Sequence, residues 1–297
     1  MKEKGKFPLP CSETPGLKKA SFPTPALVLS LAYFLLPATP ANASFIITPT
    51  WASNITSDAN AATIEATINA AIAIYQAKIT NNVTVNITFQ EMSSGLGSSS
   101  TPVYGIGYSA YVGALFSHSS SVDDAAALVT LNRSATLDPV DSQSSVFLKG
   151  PLARALGIGT FNANHATMDG TISLYTSVMN LSRAGNPAGL YDLQSVVSHE
   201  IDEVLGLGSS LGQSLSYSMP EDLFRYASTS GGTCSGVSGR SYTATTTANS
   251  CFSINGSTSL AQFNNTGSGD YGDWLTPVNT ANARVQDASG TPGHSPT

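Results

Sequence analysis

The segment YDLQSVVSHEIDEVLGLGSSLG, residues 191–212, has the strongest helix pattern in the chain. Asp192 is a suitable N-cap and Gly206 a suitable C-terminal stop, so the stretch predicts a helix of about 13 residues. Apolar residues recur along it at helical spacing and predict a buried stripe, namely Val197, Ile201, Val204 and Leu205. His199 and Glu203 are four residues apart, so they project together from the other side of the helix.

This pair has the spacing of metal ligands on one helical face. In a zinc hydrolase, two ligands at positions i and i+4 hold the metal, and a carboxylate beside the first ligand accepts a proton from water. The usual motif is HExxH, whereas here Glu203, an acceptable zinc ligand, takes the second position. The pattern predicts His199 and Glu203 as metal ligands and Glu200 as the catalytic general base. The alternative is the solvated face of an ordinary helix.

The low content of charged residues makes the group of carboxylates around His199 unusual for this chain. Only 11% of the 297 residues are charged, against about 25% in a typical soluble domain. Four of the 17 carboxylates after residue 43 nevertheless fall within Asp192–Glu203. The net charge is −6 without a basic stripe, which argues against nucleic-acid binding. The hydrophobic content of 41% is enough for a sizeable core.

The N-terminus has the pattern of a secretory signal. Lys18 and Lys19 precede the apolar run 26–36, and residues 41–43 (ANA) have the small-x-small form of a cleavage site. We therefore interpret residues 1–43 as a signal peptide and Ser44 as the start of a secreted or periplasmic protein. We expect no membrane association after the signal is cleaved. An uncut membrane anchor is the alternative.

Two cysteines, Cys234 and Cys251, remain after the signal. An even pair in an oxidising compartment predicts a disulfide, with two free thiols as the alternative.

The remaining chain predicts a mixture of helices and strands. Apolar alternation indicates a strand at 83–89, and strands are also predicted at 44–51 and, after a turn signal, at 171–175. Helical spacing or capping signals indicate helices at 59–80, 121–131 and 151–156. The Gly/Ser-rich residues 93–102 are predicted to form a loop, and the chain becomes loop-rich after Gly206.

The segment HEIDEVLGLGS, residues 199–209, resembles the metzincin pattern HExxHxxGxxH, with Gly206 in the glycine position. Glu203 replaces the second His and Ser209 the third. Met219 in SYSMPEDLFRY, residues 216–226, is placed like the Met-turn of that clan. Together with FNNTGSGDYGDW, residues 263–274, these segments resemble a family of secreted bacterial metalloprotease-like proteins from about residue 44 to the C-terminus.

The resemblance implies a zincin-like α+β fold, in which a twisted mixed sheet packs on helices and the active-site helix lies beneath the sheet edge. Residues 44–206 would form the sheet and helix part, and residues 207–297 a loop-rich part that completes the site. It also implies that relatives continue for a further short segment. The implied activity is that of a metal-dependent peptidase acting on proteins or peptides, with Zn²⁺ as its cofactor.

The third ligand stays open, because Ser209 is a poor zinc ligand. Asp222 is our first choice, although it is equally suited to a helix cap or a salt bridge to Arg225. The next candidates are Asp270 and Asp273, which are also typical turn residues; His165 and His294 follow. Two residues are expected to support the site: Met219, otherwise a packed loop methionine, and Tyr226, as a phenol donor to an oxyanion.

The sequence therefore predicts a secreted, monomeric zinc endopeptidase-like hydrolase. Two alternatives stay open. One is a non-catalytic exported binding or adhesion protein on a degenerate metalloprotease scaffold, which the Glu203 and Ser209 replacements favour. The other is a structural surface protein, which the Ser/Thr/Asn-rich composition favours.

Overall fold

The computed structural model describes residues 44–159, 161, 167–185, 187–229, 234–243 and 249–296. The predicted signal peptide lies outside them. The described residues form a mixed α+β structure. None of its helices is long and apolar enough to cross a membrane.

The strands and helices are short and interleaved along the chain. The strands are β1 Ile46–Trp51, β2 Thr84–Glu91, β3 Gly97–Ser100, β4 Val103–Gly107, β5 Ser145–Lys149, β6 Gly170–Leu174, β7 Met179–Asn180, β8 Tyr191–Asp192, β9 Arg225–Ser228, β10 Val237–Arg240, β11 Ser250–Phe252 and β12 Ala261–Gln262. The helices are α1 Ser53–Thr56, α2 Ala61–Lys78, α3 Tyr108–His118, α4 Val122–Leu131, α5 Gly150–Ala155 and α6 Leu193–Leu205.

A four-stranded sheet in the order β1-β2-β6-β3 forms the main layer. Strands β1, β2 and β6 are parallel, and β3 pairs antiparallel with β6 at the edge. The alternation that predicts a strand at 83–89 is confirmed in β2, where Val85, Ile87 and Phe89 are fully buried. The polar residues between them are half-buried, so both faces of this strand are partly covered.

The prediction that residues 93–102 form only a loop is wrong, because Gly97–Ser100 is strand β3. Glycine and serine have little intrinsic preference for strands. The strand forms because its backbone pairs with β6, from Gly97 opposite Leu174 to Ser100 opposite Thr171. This long-range pairing leaves no local signal in the sequence.

The predicted helix at the motif is confirmed as α6, and the Asp192 side chain caps it by accepting from the backbone N–H of Ser195. Its apolar stripe enters the core beneath the sheet with α2, and Val197, Ile201 and Val204 are fully buried. Gly170 allows the close approach of β6 to α6, because a Cβ there would lie 2.8 Å from a Val204 methyl group.

A second apolar cluster lies around the antiparallel pair β4–β5 and helices α3, α4 and α5. The predicted helix at 121–131 is confirmed as α4, and Ser121 with Asp124 forms a complete capping box at its start. The predicted helix at 151–156 is confirmed as α5.

The loop-rich part after Gly206 contains a small antiparallel sheet in the order β10-β9-β11-β12. The predicted disulfide is confirmed, because Cys234 is bonded to Cys251 on β11. The bond joins residues separated by 17 positions and fastens the segment before β10 to the centre of this sheet.

We expect reduction of this disulfide to destabilise the protein. A closed loop of this length contributes about 3 kcal/mol by restricting the unfolded chain. Urea unfolding with and without dithiothreitol measures the difference in the free energy of unfolding. The double variant Cys234→Ser/Cys251→Ser is the control and should not respond to the reductant. Equal stability of the oxidised and reduced wild-type protein would contradict the prediction.

Candidate metal site

Helix α6 and the segment after β12 bring three potential ligands together. His199 Nε2 lies 3.6 Å from Glu203 Oε1 and 3.5 Å from Asp273 Oδ1. One donor atom from each residue lies within 4.8 Å of the others. The helical pair follows from the i,i+4 spacing, and the GDYGDW turn supplies the third group.

The histidine ring is oriented by its other nitrogen. His199 Nδ1 lies 2.9 Å from the carbonyl oxygen of Val285. Because a carbonyl oxygen can only accept, Nδ1 must carry the hydrogen, and the neutral ring therefore presents the lone pair of Nε2 to Glu203 and Asp273. Three acceptors then face one another; the side-chain amide of Gln286 donates to Asp273, and a cation or a proton between the three would relieve the remaining repulsion.

The electrostatics of the group agree with this demand for positive charge. Burial alone would lower the pKa of His199, but the neighbouring carboxylates of Glu203, Asp273 and Glu200 outweigh it and raise the pKa to about 10. Burial raises the pKa of Asp273 to about 6, against the opposing effect of His199. Burial also acts to raise the pKa of Glu203, but the neighbouring His199, the Ser99 hydrogen bond and the charge of Lys149 lower it overall.

Glu200 lies beside this group and is 5% exposed. Its Oε2 has no hydrogen-bond partner among the described residues, although it is buried. Burial and the charge of Glu203 raise the pKa of Glu200 to about 8. Such a carboxylate is poised to exchange a proton near neutral pH. Its carboxylate packs against β3, where a Cβ on Gly97 would lie 2.2 Å from Glu200 Oε1.

Two residues hold Glu203 and the end of α6 in place. Ser99 on β3 donates a hydrogen bond to Glu203 Oε2, which leaves Oε1 facing His199. The buried ammonium group of Lys149 donates to the backbone carbonyls of Glu203 and Leu207. Lys149 therefore links the last turn of α6 to the residues that follow the helix.

The group opens into a cavity of about 240 Å³ between β3, α6 and the C-terminal segment. Strand β3 contributes Gly97, Ser98 and Ser99, and α6 contributes His199, Glu200 and Glu203. Asp270 and Asp273 also line it. The cavity therefore places the potential ligands, the buried Glu200 and an edge strand around one space.

Asp222, our first choice as third ligand, has a different set of contacts. It is fully buried, and its carboxylate accepts hydrogen bonds from the side chains of Ser209 and Ser210 and from the backbone N–H groups of Ser210 and Met219. Arg225 lies 3.5 Å from it. Asp222 is not in the group with His199, and these contacts give it the capping and ion-pair role that was its alternative.

Both predicted support residues lie outside the described cavity lining. Met219 is 3% exposed, and its backbone carbonyl accepts from the N–H of Asp222 in a tight turn. Tyr226 is on β9, with the Arg240 guanidinium 4.3 Å from its ring centroid. The structure thus places Met219 in the turn beside Asp222 and Tyr226 in the small sheet.

The other candidate ligands are distributed unevenly. Asp270 lines the cavity, and burial together with the charge of Glu203 raises its pKa. His294 also lines the cavity, with its Nδ1 3.1 Å from the Pro292 carbonyl oxygen. His165 lies outside the described residues.

Sequence reasoning missed four contributors to the site: Ser99, Lys149, Val285 and Gln286. Lys149 had a weak signal, since it is one of only eight basic residues after residue 43. The others lie in segments that read as loops, so their roles depend on tertiary placement.

Comparison of the chain with protein-family models, with curated proteins and with solved structures finds no match.

We expect Gly97→Ala to destabilise the protein by about 1–3 kcal/mol, because the added methyl group would overpack the Glu200 carboxylate and a Val196 methyl group 2.7 Å away. Gly107→Ala is the matched control, since a Cβ there meets nothing within 4 Å. Urea unfolding compares the two. Equal free energies of unfolding for the two variants would show that Glu200 does not pack against β3 in this way.

Proposed function

We propose that this protein is a secreted, zincin-like zinc metallopeptidase, in which His199, Glu203 and Asp273 hold the metal and Glu200 is the general base. The observation that carries the proposal is the convergence of His199 Nε2 with two carboxylate oxygens at 3.5 and 3.6 Å. Asp273 replaces Asp222 as the proposed third ligand.

The donor set fits zinc. One imidazole nitrogen and two carboxylate oxygens are all accepted zinc ligands, and three protein ligands beside an open cavity are typical of catalytic sites. The Nδ1 contact of His199 with a backbone carbonyl is the usual outer-shell partner of a ligating histidine. The surplus of carboxylates in the cavity further favours a divalent cation.

Glu200 has the position and environment of a proton carrier. When bound, a zinc ion supplies Lewis acidity for a scissile carbonyl group and acidifies water. The carboxylate of Glu200, which lines the cavity, would accept a proton from water there and pass it to the departing amine nitrogen. The contact with Gly97 fixes the carboxylate, so that the proton is taken and returned from one position.

The edge strand supports a peptide as the substrate. Strand β3 is the last strand of the main sheet and lines the cavity beside Glu200. An extended peptide can add to such an edge through its own backbone hydrogen bonds. This pairing would lay a peptide bond across the cavity and close to the proposed metal.

The zincin-like fold and the export are parts of the same proposal. The packing of α6 beneath β3 and β6 supports the fold, since the resemblance implies an active-site helix under the sheet edge. The disulfide between Cys234 and Cys251 supports an oxidising compartment.

Glu200→Gln tests the mechanism. The amide preserves the shape of the side chain but cannot accept the proton, so we expect casein hydrolysis to fall by about 10²–10⁴-fold. Zinc content, measured by elemental analysis, should stay at one ion per chain. Glu65→Gln on α2 is the control, because Glu65 is on another helix and outside the cavity lining, and it should keep full activity.

Three results would contradict parts of the proposal. Full activity of Glu200→Gln would exclude Glu200 as the base. A wild-type protein that binds zinc without cleaving casein would instead be the non-catalytic binding protein of the first alternative. A wild-type protein without zinc would exclude the metal site.

A further inference from the structure

Gln286 lies directly behind the proposed ligand group. Its side chain is buried, with 6% of the residue exposed. Gln286 Nε2 is 3.0 Å from Asp273 Oδ1 and 3.5 Å from His199 Nε2. The other end of the same amide, Oε1, is buried and has no hydrogen-bond partner among the described residues. The amide nitrogen therefore faces the two proposed ligands, and the amide oxygen is a buried acceptor without a partner among the described residues.

The backbone keeps Gln286 in this place. Its carbonyl oxygen accepts from the N–H of Trp274, the residue after Asp273. The carbonyl group of Val285, the residue before it, accepts from His199. One short segment thus touches both proposed ligands, so the position of the Gln286 side chain is coupled to them.

The distances around Gln286 are those of a coordination shell. A tetrahedral zinc ion with bonds of about 2.0 Å has ligands separated by about 3.3 Å. Gln286 Nε2 lies 3.0 Å from Asp273 Oδ1 and 3.5 Å from His199 Nε2, and His199 Nε2 lies 3.5 Å from Asp273 Oδ1 and 3.6 Å from Glu203 Oε1. The inward atom of the amide is therefore as close to two of the proposed ligands as a fourth ligand would be.

We infer that Gln286 is a fourth protein ligand of the metal, through its side-chain oxygen Oε1. This inference rests on the proposed function. Half a turn of the carboxamide exchanges Nε2 and Oε1 without moving the rest of the side chain. Without a cation, the N–H end faces inward and donates to Asp273. With a cation, the oxygen faces inward, and the amide nitrogen takes the outward position that now holds the unpaired oxygen.

This ligand is compatible with hydrolysis. Gln286 is not among the residues that line the described cavity, so it approaches the group from the protein interior. The cavity side remains available to water, which would be a fifth ligand beside the four from the protein, a coordination number that catalytic zinc reaches in the transition state. Because the amide is uncharged, Gln286 adds a donor without adding to the negative charge of Glu203 and Asp273.

The test is the zinc affinity of Gln286→Leu, measured by competition with a chromogenic chelator. We expect the affinity to fall by at least about tenfold relative to wild type. Gln262→Leu is the matched control, since Gln262 is half-buried on β12 and outside the cavity lining, and it should bind zinc like wild type. Equal affinity of Gln286→Leu and wild type would overturn the inference and leave the three-ligand site standing.

A crystal structure of the zinc-loaded wild-type protein separates a ligand from a mere hydrogen-bond donor to Asp273. The inference predicts Gln286 Oε1 at about 2.0–2.2 Å from the zinc ion. A zinc ion held by His199, Glu203 and Asp273 with Oε1 more than about 3 Å away would overturn it. Absence of zinc binding by the wild-type protein would instead refute the proposed function, and this inference with it.

Discussion

The site depends on one electrostatic constraint. His199 Nε2 lies 3.6 Å from a carboxylate oxygen of Glu203 and 3.5 Å from one of Asp273. The Val285 carbonyl holds the other ring nitrogen, so a neutral imidazole turns its lone pair toward two acceptors. A proton on Nε2 would supply a single positive charge to a group that also contains the buried Glu200. A divalent cation would supply two and use the lone pair, so the same group could hold a metal ion.

The rest of the fold holds the side chains of these three residues in position. The buried stripe of α6 fixes the helix beneath the sheet, and Lys149 fixes its C-terminal end through the carbonyl groups of Glu203 and Leu207. Burial lowers the pKa of Lys149, while the charges of Glu203 and Glu221 oppose that effect. A buried cation at this helix end is favourable because the helix dipole is negative there. Core packing and electrostatics thus both fix the helix that carries His199, Glu200 and Glu203.

The sequence predicted those parts of the site that depend on local patterns. The α6 boundaries follow from Asp192 and Gly206, and the pairing of His199 with Glu203 follows from the helical repeat. Strand β3 was not predictable, because its Gly/Ser composition indicates a loop and only pairing with β6 makes it a strand. Asp273 could be named only as one of several candidates, since the distance between residues 199 and 273 is set by tertiary structure. Gln286 had no local signal.

The central claim is that His199, Glu203 and Asp273 together bind one divalent metal ion. Isothermal titration of the metal-free protein with Zn²⁺ tests this most directly, with the variant Asp273→Ala beside the wild type. The account predicts one tight site in the wild-type protein and a loss of at least about tenfold in affinity when Asp273 is removed. No binding by the wild-type protein, or unchanged binding by a folded Asp273→Ala, would contradict it.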